Sequence, residues 1–317
     1  MSQGLERAAH PDDAFGGAQS RDGDLEPNIS YFGQPLLKRP QWGWNVITYL
    51  FLGGVMGGCG ILAALADPQR SDGDRKLARN AKYLSLALAT ACPALLISHL
   101  GRPERFLNML RIVKFKSPMS LGVWGLVAFS NVAALNAFME LIGKRSRALN
   151  IPQALLGGFI AGYSGVLLSA TAIPLWAKGK YHIPAISVCS GVAGACALNA
   201  MMLAFENAPQ ASSSLERLER ISALAESSLI RHFNSYADFY GKPLFEGARG
   251  MRFRTCTLLV GIALPTLLNR LPLCKGSAKT LLSGALTLFG GYILRESLME
   301  AGKDSADDPK AAFSQPT

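Results

Sequence analysis

Residues 44 to 66 read WNVITYLFLGGVMGGCGILAALA and contain no charged side chain. An α-helix rises about 1.5 Å per residue, so roughly 20 apolar residues cross the hydrocarbon core of a bilayer. The whole sequence is 49% hydrophobic and only 17% charged, a low charged share for a water-soluble domain. Residues 44 to 66 are therefore predicted to be a transmembrane helix of an all-α membrane protein.

Other apolar runs of similar length follow along the chain. Four of them carry few or no charged residues and are predicted spans: 83 to 100, 119 to 142, 154 to 176 and 184 to 205. Two further runs, 255 to 273 and 278 to 295, are also apolar enough, although Arg270 lies in one and Arg295 ends the other. Residues 215 to 236 have an amphipathic helical pattern, which suits either the membrane interface or a span whose polar face lies inside a bundle. The sequence thus predicts seven or eight transmembrane helices.

The two ends of the chain differ from this apolar centre. Residues 1 to 43 and 299 to 317 are polar, and neither shows a hydrophobic period. We expect both to be mobile tails that flank a membrane domain from 44 to 298. The net charge of +10 lies mainly in tails and loops, so it does not indicate a nucleic-acid partner. In an eight-span topology more Lys and Arg lie on the side of the termini and the 101 to 118 loop, which predicts that this side is cytoplasmic.

The motifs by which a redox protein holds its own cofactor are missing from the sequence. Its six cysteines are scattered without a C-x-x-C pair, whereas an iron–sulfur cluster needs clustered thiolates. A membrane-type haem needs histidines on facing helices. Of the four histidines, only His99 ends a clearly apolar span; the other three lie in a tail, in a loop and on the amphipathic segment. The sequence also lacks a Walker loop, G-x-S-x-G and H-E-x-x-H. We expect no haem, no iron–sulfur cluster and no metal in this chain.

Several polar residues gather at one face of the predicted membrane domain. Asn45 and Thr48 begin the first span, whereas His99 and Arg102 end the second, and chain direction puts these positions on the same side. An imidazole beside a guanidinium suits a ligand with carbonyl or acidic groups. The alternative interpretation is an ordinary helix end with a snorkelling arginine.

Charged residues outside this group suggest two further features. The loop after the second span is basic, and its outer residues are Arg105, Arg111, Lys114 and Lys116. Such a loop can attract an acidic protein. Three more charges lie within or at the edge of apolar segments and are candidates for a proton path: Glu206, Glu226 and Arg270.

Four stretches of this sequence resemble one family of membrane proteins. HLGRPERFLNMLRIVKFKSPMSLGVW, from residue 99, looks like the signature of the NrfD/PsrC family, the integral membrane subunits of polysulfide reductase and formate-dependent nitrite reductase. PQWGWNVITYLFLGGVMGG resembles the first helix of that family, GYSGVLLSATAIPLW the fourth and LFGGYILRESLMEAG the last. The similarity runs roughly from residue 31 to 303.

The resemblance implies a role and an architecture. It implies a membrane anchor for a ferredoxin-like iron–sulfur subunit and a molybdopterin catalytic subunit, which passes electrons to or from menaquinone or ubiquinone in the bacterial cytoplasmic membrane. It also implies eight helices in two four-helix bundles, so that residues 215 to 236 become a span. The chain would then be one subunit of an oxidoreductase and would not be catalytic alone.

The resemblance further implies site residues. Asn45 and Tyr163 match the quinone pocket of the family, whereas Thr48 stands where some relatives have a histidine. Either that proton donor is missing from this chain, or His99 serves instead. Tyr163 also suits a packed aromatic residue in a Gly-rich helix. Two other functions stay open: a secondary transporter or proton-translocating subunit, and a purely structural anchor. A transporter should concentrate its polar groups at mid-membrane, whereas the group around Asn45 lies at one face.

Overall fold

The computed structural model describes residues 37–67, 71–99, 104–111, 113–114, 116–144, 146–206, 213–270, 276–308 and 310–311. These residues are almost entirely helical and contain no strand, which agrees with the predicted all-α class. The first half has α1 (Trp44–Ala66), α2 (Asp72–His99), α3 (Glu104–Arg111), α4 (Pro118–Leu141), α5 (Arg147–Ser169) and α6 (Pro174–Lys178). The second has α7 (His182–Phe205), α8 (Ser213–Ala237), α9 (Lys242–Phe245), α10 (Gly247–Arg252), α11 (Leu264–Arg270) and α12 (Ser277–Asp307). A 3₁₀ turn (Asp238–Gly241) precedes α9, and a π-helical segment (Phe253–Ala263) joins α10 to α11.

Within the described residues, six helices are long and apolar enough to cross a membrane. They are α1, α2, α4, α5, α7 and the continuous run from α10 to α11, Gly247–Arg270. They include all five spans expected with least ambiguity from the sequence, and the second begins at Asp72 instead of residue 83. Helices α8 and α12 have 25 and 31 residues but are more polar and fall outside this set. A multi-pass membrane fold is therefore confirmed, whereas the count of eight stays a prediction.

The helices pack around α1, which contacts α2, α5, α7 and α12. Its glycines allow this central position, because α5 and α7 approach it backbone to backbone. A Cβ on Gly57 would overlap the backbone of Gly157 in α5, and one on Gly58 would lie 2.6 Å from the carbonyl oxygen of Gly191 in α7. The uncharged, Gly-rich run that predicts the first span thus also makes it the core of the fold.

Side-chain bonds show which helix ends lie together. We call one end the Asn45 end: Asn45 at the start of α1 bonds to Ser98 near the end of α2, and Tyr163 in α5 bonds to Pro118 at the start of α4. We call the other end the Asp67 end, because Asp67 after α1 pairs with Lys82 of α2. The contacts of each end therefore join consecutive antiparallel helices.

The described residues extend into both predicted tails. Residues 37 to 43 are held at the Asn45 end, where the Trp42 ring stacks on Trp176 at 5.6 Å and its carbonyl accepts a 2.8 Å hydrogen bond from Lys303. Helix α12 continues past residue 298 to Asp307, and Met299, Ala301 and Ala306 are buried. Residues 1 to 36, most of the predicted N-terminal tail, and residues 312 to 317, the last six of the predicted C-terminal tail, lie outside the described residues.

Candidate functional site

The start of α1 and the end of α2 are the first part of the candidate site. Asn45 donates from Nδ2 to Ser98 Oγ at 3.0 Å, and Ser98 in turn donates to the Leu95 carbonyl at 2.7 Å. His99, the last residue of α2, is half-buried next to Ser98. Asn45 and His99 belong to separate predicted spans, and they lie on adjacent helix ends.

Tyr163 of α5 is the second part of the candidate site. It is buried, and its hydroxyl donates a 2.8 Å hydrogen bond to the carbonyl oxygen of Pro118, the first residue of α4. Its ring lies directly against Gly122, where a Cβ would overlap it. Tyr163 is therefore a packed residue and at the same time a polar residue at the Asn45 end.

Tyr49 belongs to the same region, although the sequence reasoning missed it. It lies one turn after Asn45 on the same face of α1 and is buried at 8% exposure. Its hydroxyl is within electrostatic range of the Tyr163 hydroxyl and the Cys92 thiol. Thr48, the residue named from the sequence, is half-buried one position earlier. The spacing of four between Asn45 and Tyr49 was the available signal, since such residues share a helix face.

The basic loop is described only in part. Arg102 lies outside the described residues, and Arg105 lies in α3. Arg111, Lys114 and Lys116 are exposed near the start of α4, and the Lys114 amide donates to Ser120 Oγ at 3.0 Å. The three described cations therefore face outward at the same end of the protein as Asn45.

The three residues of the predicted proton path do not come together as one group. Glu206 follows α7 at the Asp67 end and binds Arg79 of α2 through both carboxylate oxygens at 3.1 Å. Glu226 is buried in the middle of α8, whereas Arg270 is exposed at the end of α11. Two neighbouring cavities that share Glu219 and Thr266 lie beside Glu226 and Arg270, whereas Glu206 lies apart from both.

Glu226 has a buried partner that the sequence reasoning did not assign to it. Its carboxylate faces the guanidinium of Arg295 in α12 and the hydroxyl of Ser190 in α7. Arg295 is 4% exposed and donates from Nη2 to the Ser187 carbonyl at 3.0 Å. Its Nε and Nη1 atoms have no hydrogen-bond partner among the described residues. A buried guanidinium with two free donors is suited to bind water beside the carboxylate.

A small cavity of about 20 Å³ adjoins Glu226 between α7, α8, the π-helical segment, α11 and α12. Its polar wall includes Ser190, Glu219, Thr266 and Thr287. A neighbouring cleft shares Glu219 and Thr266 with this cavity and reaches Arg270. Asn269 holds Glu219 through a 3.3 Å hydrogen bond in this cleft. Polar side chains thus line the interior from Glu226 towards the Asp67 end.

A second buried network, in the first half, was also missed. Lys82 is fully buried and pairs with Asp67 at 3.3 Å and Glu140 at 3.0 Å. Ser85 donates to the Lys82 carbonyl and accepts from Gln153 of α5, both at 2.8 Å. The only signals in the sequence were single charges near the ends of apolar runs, and these do not reveal which charges pair.

The described residues contain no group of three or more His, Cys, Asp and Glu side chains arranged to hold a metal ion. The five described cysteines are free, and Cys274 lies outside the described residues. The expectation that the chain carries no haem or cluster stays a prediction.

Comparison with known proteins identifies the family of this chain. The family model described as "Polysulphide reductase, NrfD" matches residues 36–304 and so covers most of the chain. No curated protein matches the sequence.

Proposed function

The chain belongs to the NrfD family of integral membrane subunits of polysulphide-reductase-like complexes, and we propose that it is the quinone-reactive subunit of such a complex. Subunits of this family join iron–sulfur and molybdopterin subunits of oxidoreductases. In this proposal the chain anchors a ferredoxin-like iron–sulfur subunit and passes electrons between it and menaquinone or ubiquinone. The molybdopterin subunit carries the terminal chemistry, and the membrane is the bacterial cytoplasmic membrane.

We further propose eight spans in two bundles of four. The contacts among α1, α2, α4 and α5 support the first bundle, because each of these helices packs against two others of the set. Contacts of α7 with α8 and α12, and of the π-helical segment with α12 and α8, support the second. Glu226 and Arg295 favour the insertion of α8 and α12, since their charges then face each other and not lipid.

The quinone pocket of this proposal lies at the Asn45 end of the first bundle. The observation that carries it is that the Asn45–Ser98 and Tyr163–Pro118 hydrogen bonds gather four helices at one end. The amide of Asn45, the imidazole of His99 and the phenol of Tyr163 are all groups that can donate to a quinone carbonyl oxygen. His99 or Tyr163 can hold or release the proton that accompanies quinone reduction. Thr48 and Arg102 complete the proposed set.

The basic loop would dock the iron–sulfur subunit. Arg111, Lys114 and Lys116 are exposed at the Asn45 end, and Arg105 lies in the helix that leads to them. A positive face attracts an acidic partner and weakens with salt, because charges on an exposed rim are screened. Docking at this end keeps the partner's terminal cluster near the quinone pocket, which an electron carrier requires.

The test of the pocket is to change Tyr163 to Phe and His99 to Ala in the assembled complex. Each variant loses one hydrogen bond to the quinone, worth about 1 to 3 kcal/mol, so quinone-linked turnover should fall roughly tenfold. Electron transfer from the catalytic subunit to a soluble artificial acceptor should stay unchanged, because that route bypasses the pocket.

Tyr83→Phe is the matched control, since Tyr83 is an exposed tyrosine of α2. The control should retain quinone turnover. If Tyr163→Phe and His99→Ala assemble normally and keep full quinone turnover, the proposal fails. A purely structural anchor would also show no quinone binding in a direct binding assay.

The buried pair in the second half favours a second candidate function, proton translocation. Glu226 lies in the middle of α8 beside a polar cavity that continues to Glu219 and Arg270 at the Asp67 end. A mid-membrane carboxylate that polar side chains link to one side supplies one half of a proton path. Glu206 is outside this route, because it follows α7 and pairs with Arg79 of α2.

A further inference from the structure

A cluster of aromatic and basic side chains lies at the Asn45 end where α7 begins and α8 ends, apart from the proposed quinone pocket. We call it the aromatic–lysine cluster, and its members are Lys178, His182, His232, Tyr236, Tyr240 and Lys242. His182 Nε2 lies 2.8 Å from His232 Nδ1, and the two rings stack with centroids 4.9 Å apart. The Tyr236 ring stacks on His182 at 4.8 Å. These contacts fix α7 to α8 and form a continuous aromatic surface.

Two lysines lie on this surface. The Lys178 Nζ atom stands 4.5 Å from the centroid of the Tyr236 ring and 5.9 Å from that of Tyr240. Lys242 Nζ stands 5.4 Å from the ring of Phe239, which lies 5.9 Å from the Tyr240 ring. Such cation–π contacts hold an ammonium group in position, yet they leave N–H donors for an anion.

The segments that form the aromatic–lysine cluster carry more basic than acidic residues. Residues 174 to 182 and 231 to 242 contain four basic residues and a single acidic one, Asp238. Lys178 and Lys242 form no ion pair with any described residue. The cluster therefore presents positive charge that the described part of the protein does not neutralise.

The backbone under Lys178 is fixed independently of the cluster. Trp176 in α6 is fully buried, stacks on Trp42, and donates from Nε1 to the Leu298 carbonyl at 2.9 Å. Lys178 follows two residues later as the last residue of α6. Its position is thus set before any ligand arrives, which lowers the entropy lost on binding.

We propose that the aromatic–lysine cluster binds the phosphate of an anionic phospholipid headgroup. The membrane-crossing helix α7 begins at His182, so the cluster stands where that helix leaves the apolar region. Tyr181 and Tyr236 are 75% and 45% exposed, and tyrosine beside lysine at a helix end is typical of the headgroup layer. Lys178 and Lys242 would bind the phosphate, and the exposed phenols would contact the glycerol region. The charge, the aromatic rings and the level at the end of a span favour a lipid over an acidic protein surface.

The test uses the complete complex in nanodiscs that contain equal amounts of phosphatidylglycerol and phosphatidylcholine. Native mass spectrometry counts the lipids that stay bound after release from the disc. In the Lys178→Gln/Lys242→Gln variant, phosphatidylglycerol retention should fall roughly tenfold, because two charges near the phosphate are lost. Tyr236→Leu keeps both charges and removes the ring under Lys178, so it should lower retention by a smaller factor.

The matched control is Lys144→Gln/Arg147→Gln, which removes two exposed charges at the Asp67 end. The control should retain phosphatidylglycerol as the unaltered complex does. Equal retention in the cluster variant and the unaltered complex overturns the proposal, and so does an equal loss in the control. Loss of the iron–sulfur subunit from the cluster variant with unchanged lipid retention also overturns it and identifies a protein-docking face instead.

Discussion

The two halves of this membrane domain stabilise buried charges in different ways. In the first half, Lys82 is fully buried and contacts two carboxylates directly, at 3.0 and 3.3 Å. In the second half, Arg295 and Glu226 face each other without a direct ion pair, and two nitrogens of Arg295 have no partner among the described residues. A charge removed from water must be paired or hydrated. The first half pairs its charge, whereas the second half keeps a cavity beside it.

The two halves also differ in the regularity of their helices. Helix α1 is a regular α-helix whose glycines lie against Gly157 and Gly191. The second half contains an 11-residue π-helical segment, Phe253–Ala263, and Gly261 and Ile262 of this segment line the cavity at Glu226. π-helical turns are rare in proteins, and those that occur often lie at functional sites. The first half is thus a closely packed group of helices with the candidate site at one end, whereas the second half has a small cavity with polar lining residues in its interior.

The largest expected effect on stability comes from Lys82→Met. This change removes the Lys82 cation from Asp67 and Glu140, whose side chains are 6% and 10% exposed, and breaking a buried pair costs about 3 to 5 kcal/mol. The unfolding midpoint of the purified complex in detergent should drop sharply. The variant Lys82→Met/Asp67→Asn/Glu140→Gln removes all three charges and should recover most of the loss. An unchanged midpoint for the single variant would show that the first half does not depend on this pairing.

Arg295→Met should cost less. The change removes the bond to the Ser187 carbonyl and leaves a single carboxylate beside a cavity that can admit water, so we expect a loss of about 1 to 3 kcal/mol. The same unfolding measurement ranks it against Lys82→Met. The double variant Arg295→Met/Glu226→Gln should be closer to the unaltered protein than the single one. If Arg295→Met is as harmful as Lys82→Met, the contrast between the halves is wrong.

The smallest change in stability is expected for Glu226→Gln. An amide of the same shape still meets Ser190 and loses no direct ion pair, so the cost should be about 1 kcal/mol or less. Proton uptake by proteoliposomes during quinone turnover supplies the second readout. If the second half conducts protons, uptake should fall while electron transfer continues. Glu206→Gln is the control, and unaltered uptake in Glu226→Gln would remove the second candidate function.

Which residues of the candidate site lie at one end of the helices could be predicted from the sequence, because chain direction fixes the side of each helix end. Asn45 and His99 lie at adjacent ends for this reason, and the structure adds the Asn45–Ser98 bond that joins them. Tyr49 was missed because an aromatic residue in an apolar run usually packs in the core, and a spacing of four from Asn45 does not by itself mark a functional residue. The residues of the predicted proton path were chosen as isolated charges, so the separation of Glu206 from Glu226 could not be foreseen.

The sequence by itself determined the helical membrane character, the five clearest spans and the family. These depend on local composition and on the length of apolar runs, which each segment carries alone. Tertiary structure alone decided the partners of the buried charges: Lys82 with Asp67 and Glu140, and Arg295 with Glu226. Their separations of 15, 58 and 69 residues lie far beyond any helical period. Coulomb attraction and desolvation act through space, so which charges neutralise each other is fixed only when the helices pack.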